Sequence, residues 1–528
     1  MAITTPAGTS RRNFIRLTGT LGVAAGLAAS VAACGKGGKA ANKDGVITAG
    51  ISYELGTNGY DPATTSSALT IAANWHTMEG LTDIHPATRK VYAALAAEMP
   101  KKIDDTTYEV TLRKDAKFSN GSPVTTEDVL YSFQRVIDPA NKSLYAQFLS
   151  FVDKVEAKDA STITFKLKHA FVLLPERLSV VKIVPKAVVE ADPKNFTYNP
   201  VGSGPYKMTD NGAAKQVIVF ERNDHYNGPY PALVKTMKWN IMPDDTTRTN
   251  AMTSGTVQAI DAVPAANLPT FTEPVKVSAL QGFGLLFAMF NTSTFSDVKA
   301  RQAVLYALDY DKICKDAMAG LATPATCFVQ EGHPAYKKAK TVYSKDLDKA
   351  KALLAEAGIT SIRMLCSDHG WFSGVRPVIR ENLEALGVTV TYDEKKSSDL
   401  YNFIESKDGA NAWDVVIAPG DPSVFGEDGD LLMRWWYDTS TWIENRMHWK
   451  GSEGQKAIYA LLEEGAKLEG DKQIAKWQET FDKISEEVPL YPIFHRKSPI
   501  AYNSSTLKDF QPIKLTALSF VGTGSTKS

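Results

Sequence analysis

The sequence predicts an α/β fold of more than one lobe, and three observations carry that prediction. Its 528 residues exceed what one hydrophobic core ordinarily holds, so two or three lobes are expected. The first third is rich in segments that alternate apolar and polar residues, the periodicity of a strand. The second half alternates helix-spaced apolar stripes with short apolar runs, a β-α-β rhythm that predicts a mostly parallel sheet covered by helices.

Residues 46–51 alternate enough for a first strand, and 56–62 form a loop by composition. Residues 108–113 make a cleaner strand, followed by the turn Asn120-Gly121-Ser122-Pro123. Thr125 or Thr126 then caps a helix that places Val129, Tyr131 and Phe133 at helical spacing. Residues 162–167 alternate again. Asp297 can cap a helix carrying Val298, Val304, Leu305 and Leu308. Residues 346–357 are helical, with Leu347, Ala350, Leu353 and Leu354 on one face and Gly358 as terminator. After a short strand over 362–366, Pro377 occupies the first turn of a helix that turns Ile379, Leu383 and Leu386 inward and stops at Gly387. Strands at 388–392 and 413–418 follow. Ile474, Trp477, Phe481, Ile484 and Val488 make a last helical stripe, ended by Pro489.

Ahead of all this, Ser10-Arg11-Arg12-Asn13-Phe14-Ile15-Arg16 precedes an Ala- and Gly-rich apolar stretch that closes on Val31-Ala32-Ala33-Cys34-Gly35. A positive segment, a short apolar segment and small residues before a cysteine read as an export signal. The stretch is too short and too rich in Ala and Gly for a membrane span, which needs about 20 strongly apolar residues. It resembles a twin-arginine signal ending in a bacterial lipobox. That resemblance implies cleavage after residue 33, lipid on the Cys34 sulfur, and a polar tether over 34–45 joining the outer face of the membrane to a soluble body. Cleavage removes Arg11, Arg12 and Arg16 and no acidic residue, so a formal charge of +0 becomes about −3. Such a surface offers no electrostatic footprint for nucleic acid. Beyond Cys34 only Cys314, Cys327 and Cys366 remain. They allow one disulfide, with Cys314–Cys327 favoured by proximity in sequence, or three free buried thiols.

Three motifs bring a family into view. Thr107-Tyr108-Glu109-Val110-Thr111-Leu112-Arg113, continuing through Phe118-Ser119-Asn120-Gly121 to Thr126-Glu127-Asp128-Val129, resembles the signature of extracellular solute-binding proteins of peptide/nickel ABC transporters, family 5. Asn199-Pro200-Val201-Gly202-Ser203-Gly204-Pro205-Tyr206 is similar to its glycine-proline motif, and the glycines are expected to supply unusual backbone angles at a chain reversal. Asn291, then Asp297-Val298-Lys299-Ala300-Arg301-Gln302-Ala303-Val304, resembles its helix motif. The resemblance implies a periplasmic-binding-protein-like class II (cluster C) fold, with two α/β lobes, a hinge and an inserted extra domain. Lobe I would comprise 46–71, 198–275 and 498–528, the insert 72–197, and lobe III 276–497. The hinge then falls near Val275 and Ser498. It also implies a monomeric receptor for short peptides that delivers them to ABC permease and ATPase subunits. Nickel chelates, haem, opines and oligosaccharides are the other solutes the family carries.

Family peptide binders set an aspartate of the third lobe against the peptide amine, which by position matches Asp421. This residue stands just past a predicted strand, where open sheets bind ligands. Asp428 and Asp430, in the acidic stretch that follows, are alternatives. Arg376 sits at a helix start, where a cation is unfavourable to the macrodipole, so a peptide carboxylate is its expected partner. Trp371 and Phe372 would wall a side-chain pocket, as would Tyr53 and Tyr60 around the first loop. His369 beside Trp371 keeps a metal chelate open as ligand. Trp435, Trp436, Trp442 and Trp449 are expected to pack beneath lid loops, or to stack on a sugar. No Gly-x-Ser-x-Gly, His-Glu-x-x-His or phosphate-loop pattern occurs, the histidines are scattered, and no cofactor or enzymatic activity is expected.

Overall fold

The computed structural model describes residues 41–528 apart from 54, 56–58 and 142. The export signal, Cys34 and most of the tether lie outside the described residues, as does the start of the predicted 56–62 loop.

Among the described residues, eleven strands form the main sheet. In chain order they are Val46–Ile51 (β1), Tyr206–Asn211 (β2), Val217–Arg222 (β3), Thr236–Ile241 (β4), Ala259–Ile260 (β5), Val275–Phe290 (β6), Ala322–Pro324 (β7), Ser361–Ser367 (β8), Thr389–Lys395 (β9), Val415–Gly420 (β10) and Leu490–Asn503 (β11). Across the sheet they run β9-β8-β10-β6-β11-β5-β1-β4-β3-β2, with β7 joined to β11. Pairing is parallel where β1 meets β4 and β5, and where β8 meets β9 and β10. It is antiparallel where β6 meets β10 and β11, where β11 meets β5 and β7, and along β2-β3-β4. The expectation of a mostly parallel sheet is therefore corrected to a mixed one. Short turns such as the one joining β2 to β3 permit only antiparallel neighbours.

β6 and β11 are unusually long, at 16 and 14 residues. They pair from Val275 with Asn503 to Gln281 with Lys497, lose register, and resume with Leu285 against His495. From Phe283, within the break, to Phe290 every residue is buried, as expected for a central strand covered on both faces. The expected hinge positions at 275 and 498 lie inside these two strands, and the break in pairing lies at 281–285 against 495–497.

Residues 101–167 build a second, four-stranded antiparallel sheet in the order Lys101–Asp104, Thr107–Thr111, Thr162–Leu167, Val152–Ala157. The helix Thr126–Ile137 packs on it, with Phe133 edge-on to Phe165 at 5.0 Å. Of the two candidate caps, Thr125 is the one used. Its hydroxyl accepts from Asp128 N, and the Asp128 carboxylate accepts from Thr125 N in return. The predicted helices appear at Val298–Ala307, Leu347–Glu356, Val375–Glu384 and Gly470–Glu487. The last is closed by Val488 in the left-handed region (φ 41°), ahead of Pro489.

Two expectations are corrected. Gly202 and Gly204 adopt no positive φ. They are needed because the 202–205 segment lies against the end of the helix Ala68–Thr77: a Cβ on Gly202 would stand 2.1 Å from Thr77 O, and one on Gly204 2.5 Å from Thr77 C. Cys314, Cys327 and Cys366 are all free and buried, so no Cys314–Cys327 disulfide forms. Burial pushes their thiols up, to about 12, 11 and 12. Among the described residues no helix is long and apolar enough to cross a membrane.

The glycine geometry is testable. Gly204→Ala must displace backbone, so stability should fall by about 1–3 kcal/mol or more, read as a lower urea midpoint at unchanged slope. Gly332→Ala, where a Cβ meets nothing within 4 Å, should leave the midpoint in place.

Candidate functional site

β10 ends at Gly420, and the next residue, Asp421, stands at the floor of a cleft with ≈ 930 Å³ of empty space. Pro422 turns the chain away at once, which holds the carboxylate at the strand end. Asp421 Oδ2 accepts from Thr516 N at 2.9 Å and from Thr516 Oγ1 at 2.9 Å, while Oδ1 accepts from Ser423 Oγ. These donors are all neutral. Among the described residues no cation comes within ion-pair distance of Asp421.

Arg496, on β11, lines the same cleft and is 6% exposed. Its Nη2 donates to Thr516 Oγ1 at 3.0 Å and to the Tyr53 hydroxyl at 3.2 Å. Its guanidinium lies 4.4 Å over the Trp371 ring. No carboxylate reaches ion-pair distance of it among the described residues. Thr516 therefore stands between the two charges, donating to one and accepting from the other. The nearby His369 is pushed down to about 4 by burial and then by Arg496, so it adds no charge at neutral pH.

The walls are aromatic. Helix Gly429–Tyr437 supplies Trp435 and Trp436, and the π-type turn Thr441–Arg446 supplies Trp442. Trp436 and Trp442 meet at 4.4 Å and 72°. A Cβ on Gly420 would stand 2.4 Å from the Trp436 ring, so only glycine lets this indole rest on the strand end. Arg446 is sandwiched between Tyr401 (4.0 Å) and Trp442 (4.2 Å), with Nε 2.6 Å from Glu405. Ser66, Ala68 and Ile71, with Leu144 and Tyr53, close the opposite side.

Of the ligand-binding candidates singled out from sequence, Asp421, Tyr53 and His369 line this cleft. Trp371 lies under Arg496 and lines the adjoining hollow with Tyr53 and His369. Phe372 is fully buried in the core and is not among the residues that line the cleft. Tyr60 is buried as well, its hydroxyl donating to Asn211 O at 2.7 Å. Arg376 is directed elsewhere: Nη1 donates to Ser367 O and His369 O, and Nε faces Glu394 at 3.3 Å. A cation at this helix start serves carbonyls leaving the end of β8.

The acidic stretch is likewise engaged. Asp428 caps the helix Gly429–Tyr437 through Leu431 N and pairs with Arg177 at 2.7 Å. Asp430 pairs with Arg177 at 3.1 Å and Arg434 at 2.9 Å. Glu427 pairs with Arg89 and Lys514. Neither Asp428 nor Asp430 faces the cleft. Trp449 packs in the core, whereas the other three tryptophans form cleft wall. Arg496, Arg446 and Thr516 were not anticipated. For Arg496 the signal was present: His495-Arg496-Lys497 interrupts an otherwise apolar strand, and buried charge inside a strand calls for a reason.

A cleft at the carboxyl end of sheet strands, closed by segments distant in sequence, defines a protein that encloses a small solute. Residues 90–457 match the family described as "Bacterial extracellular solute-binding proteins, family 5 Middle", and the chain belongs to it. A putative ABC transporter peptide-binding protein of Brucella ovis is 27% identical over 327 residues, 60% of this chain and 61% of the relative. The chain thus spans about 61% of that relative's length in the match. Among solved structures, AgaA of A. tumefaciens R10 in complex with agropinic acid has a TM-score of 0.79 at 25% identity, covering 89% of this chain and 96% of its own. The oligopeptide-binding protein AppA of Bacillus subtilis, in complex with a nonapeptide, has a TM-score of 0.80 at 20% identity, covering 92% and 100%. The fold is that of the two-lobed class II binding proteins.

The buried pairs of the acidic stretch are testable. Arg177, 1% exposed, neutralises two carboxylates at once. Arg177→Met should cost about 3–5 kcal/mol of stability, measured by denaturant unfolding, because it strands buried charge. That loss should persist at 0.5 M salt, where exposed pairs are screened.

Proposed function

We propose that this chain is the extracytoplasmic receptor of an ABC importer, capturing a short peptide between two lobes and releasing it to a permease. The observation that carries this reading is Asp421: a carboxylate at a strand end, facing an aromatic cleft, its oxygens met only by neutral donors. An ammonium group is the partner such a carboxylate lacks. Lobe I would comprise 46–71, 198–275 and 498–528, lobe III 276–497, with 72–197 inserted. The hinge would bend β6 and β11 at their break in pairing. The solute favours the closed form through contacts absent from the open one. The peptide-binding relatives support this reading. Nothing in the cleft calls for covalent chemistry, and the cargo leaves as it entered.

The export signal supports placement outside the cytoplasm, anchored through lipid on Cys34. Cys34→Ala should then move the chain from the detergent phase to the aqueous phase in a cloud-point partition. Retention in the detergent phase would count against the anchor.

Native mass spectrometry of protein purified without unfolding tests the function. The expected result is extra mass that resolves, on denaturation, into short amine-bearing peptides. A metal chelate or a sugar would replace the peptide reading. Removing one partner of a desolvated charge pair costs about 2–5 kcal/mol, so Asp421→Asn should weaken peptide binding roughly thirty-fold or more by calorimetry. Unchanged affinity would sink the role given to Asp421.

A further inference from the structure

We infer that the solute presents an ammonium and a carboxylate on one carbon, an α-amino-acid head, and that Asp421, Thr516 and Arg496 read this head as a unit. The inference rests on the solute-binding reading above and narrows it.

Opposite charges stand here side by side without pairing. Asp421 and Arg496 are bridged by one hydroxyl, that of Thr516, at 2.9 and 3.0 Å. Between them the chain places Gly284. A Cβ there would stand 3.5 Å from Asp421 Oδ2 and 3.6 Å from Arg496 Nε. Gly284 thus packs within ordinary contact distance of both side chains, which keeps the anion and the cation within a few ångströms of one backbone position. An α-carbon in the cleft that Asp421 and Arg496 both line carries its ammonium toward the one and its carboxylate toward the other.

Arg496 is suited to that task. Trp371 fixes the guanidinium plane, and only Nη2 is committed to protein acceptors among the described residues. Nε and Nη1 remain as donors on different edges of the guanidinium, and each can give a carboxylate one charge-assisted hydrogen bond. An extended α-linked peptide cannot satisfy both charges at once. Each of its residues adds about 3.3–3.6 Å, so its termini separate beyond a gap bridged by one hydroxyl. A head bearing both charges on one carbon satisfies both, and the remainder of the solute runs toward Trp435, Trp436 and Trp442.

A pair of isomers tests the inference. γ-Glu-Ala keeps ammonium and carboxylate on one carbon, whereas α-Glu-Ala separates them; composition and net charge are equal. In calorimetry with the full chain, dialysed free of carried solute, γ-Glu-Ala should bind at least tenfold more tightly. Arg496→Gln should weaken the γ isomer about a hundredfold and the α isomer less than threefold. Should Arg496→Gln fail to fold, Arg496→Lys provides a second test. It keeps the positive charge, so the melting temperature should hold, while the compact ammonium should lose the preference for the γ isomer. Equal binding of the isomers, tighter binding of the α isomer, or equal losses in Arg496→Gln would overturn the inference. Binding of neither isomer, with peptides found by native mass spectrometry, would overturn it and leave the receptor reading intact. Binding of neither, with no trapped solute, would remove both.

Discussion

Where β6 parts register from β11, between Gln281 and Leu285, the sheet has to bend, and the polar groups of the cleft are arranged around that bend. Two glycines occupy the break. A Cβ on Gly282 would lie 2.0 Å from Lys514 O, so the segment that follows β11 can lie directly on the strand. That approach brings Thr516 to Asp421 at the end of β10 and to Arg496 on β11. Three segments separated by as many as 95 residues thus converge on one hydroxyl. The apolar run Phe283 to Phe290, buried throughout, supplies the packing that keeps so many polar atoms in register.

A second constraint concerns charge. Burying a carboxylate without a partner is costly, and this chain buries several near the cleft. Asp428, Asp430 and Glu427 are met by Arg177, Arg434, Arg89 and Lys514. Arg89 and Arg177 come from the 72–197 stretch, so its attachment to the 421–437 region is electrostatic as well as aromatic: Phe148 stacks on Trp435 at 6.0 Å, and Tyr145 meets Phe425 at 5.1 Å. With those acids satisfied within the protein, Asp421 is the acidic side chain left among the residues lining the cleft.

How much of this could be read from sequence follows from the range of each interaction. Local rules located the capped and terminated helices, because Thr125 with Asp128, Asp346 with Lys349 N, and Gly358 act within a few residues of themselves. The strand-end position of Asp421 was legible for the same reason. Sheet direction was not: a β-α-β rhythm says nothing of β11 returning beside β6 across two hundred residues. Arg376 misled because the macrodipole argument weighs only its own helix, whereas its acceptors are the carbonyls of Ser367 and His369 and the carboxylate of Glu394. Tyr60 and Phe372 misled because an aromatic beside a loop looks alike in sequence whether it faces solvent or core. The tryptophan-rich segment divided by element: the helix Gly429–Tyr437 and the turn Thr441–Arg446 carry Trp435, Trp436 and Trp442 to the cleft, whereas Trp449, beyond both, packs in the core.

On the proposed reading, the cleft is an ion-pair network with one member left out. Thr516 holds the carboxylate and the guanidinium apart with a hydrogen bond to each, and both charges stay oriented by neutral partners before any solute arrives. Such preorganisation places the cost of desolvating the charges in folding, so that a solute carrying the complementary charges does not meet it again on binding. Hydrogen bonds to charged partners then form in a site walled by indole rings, where electrostatic attraction is less screened than at an open surface. The same arrangement penalises solutes that bring only one of the two charges, because the other protein charge would be enclosed without a partner. On that reading, selectivity and affinity in this cleft have a common origin in the separation that one threonine maintains.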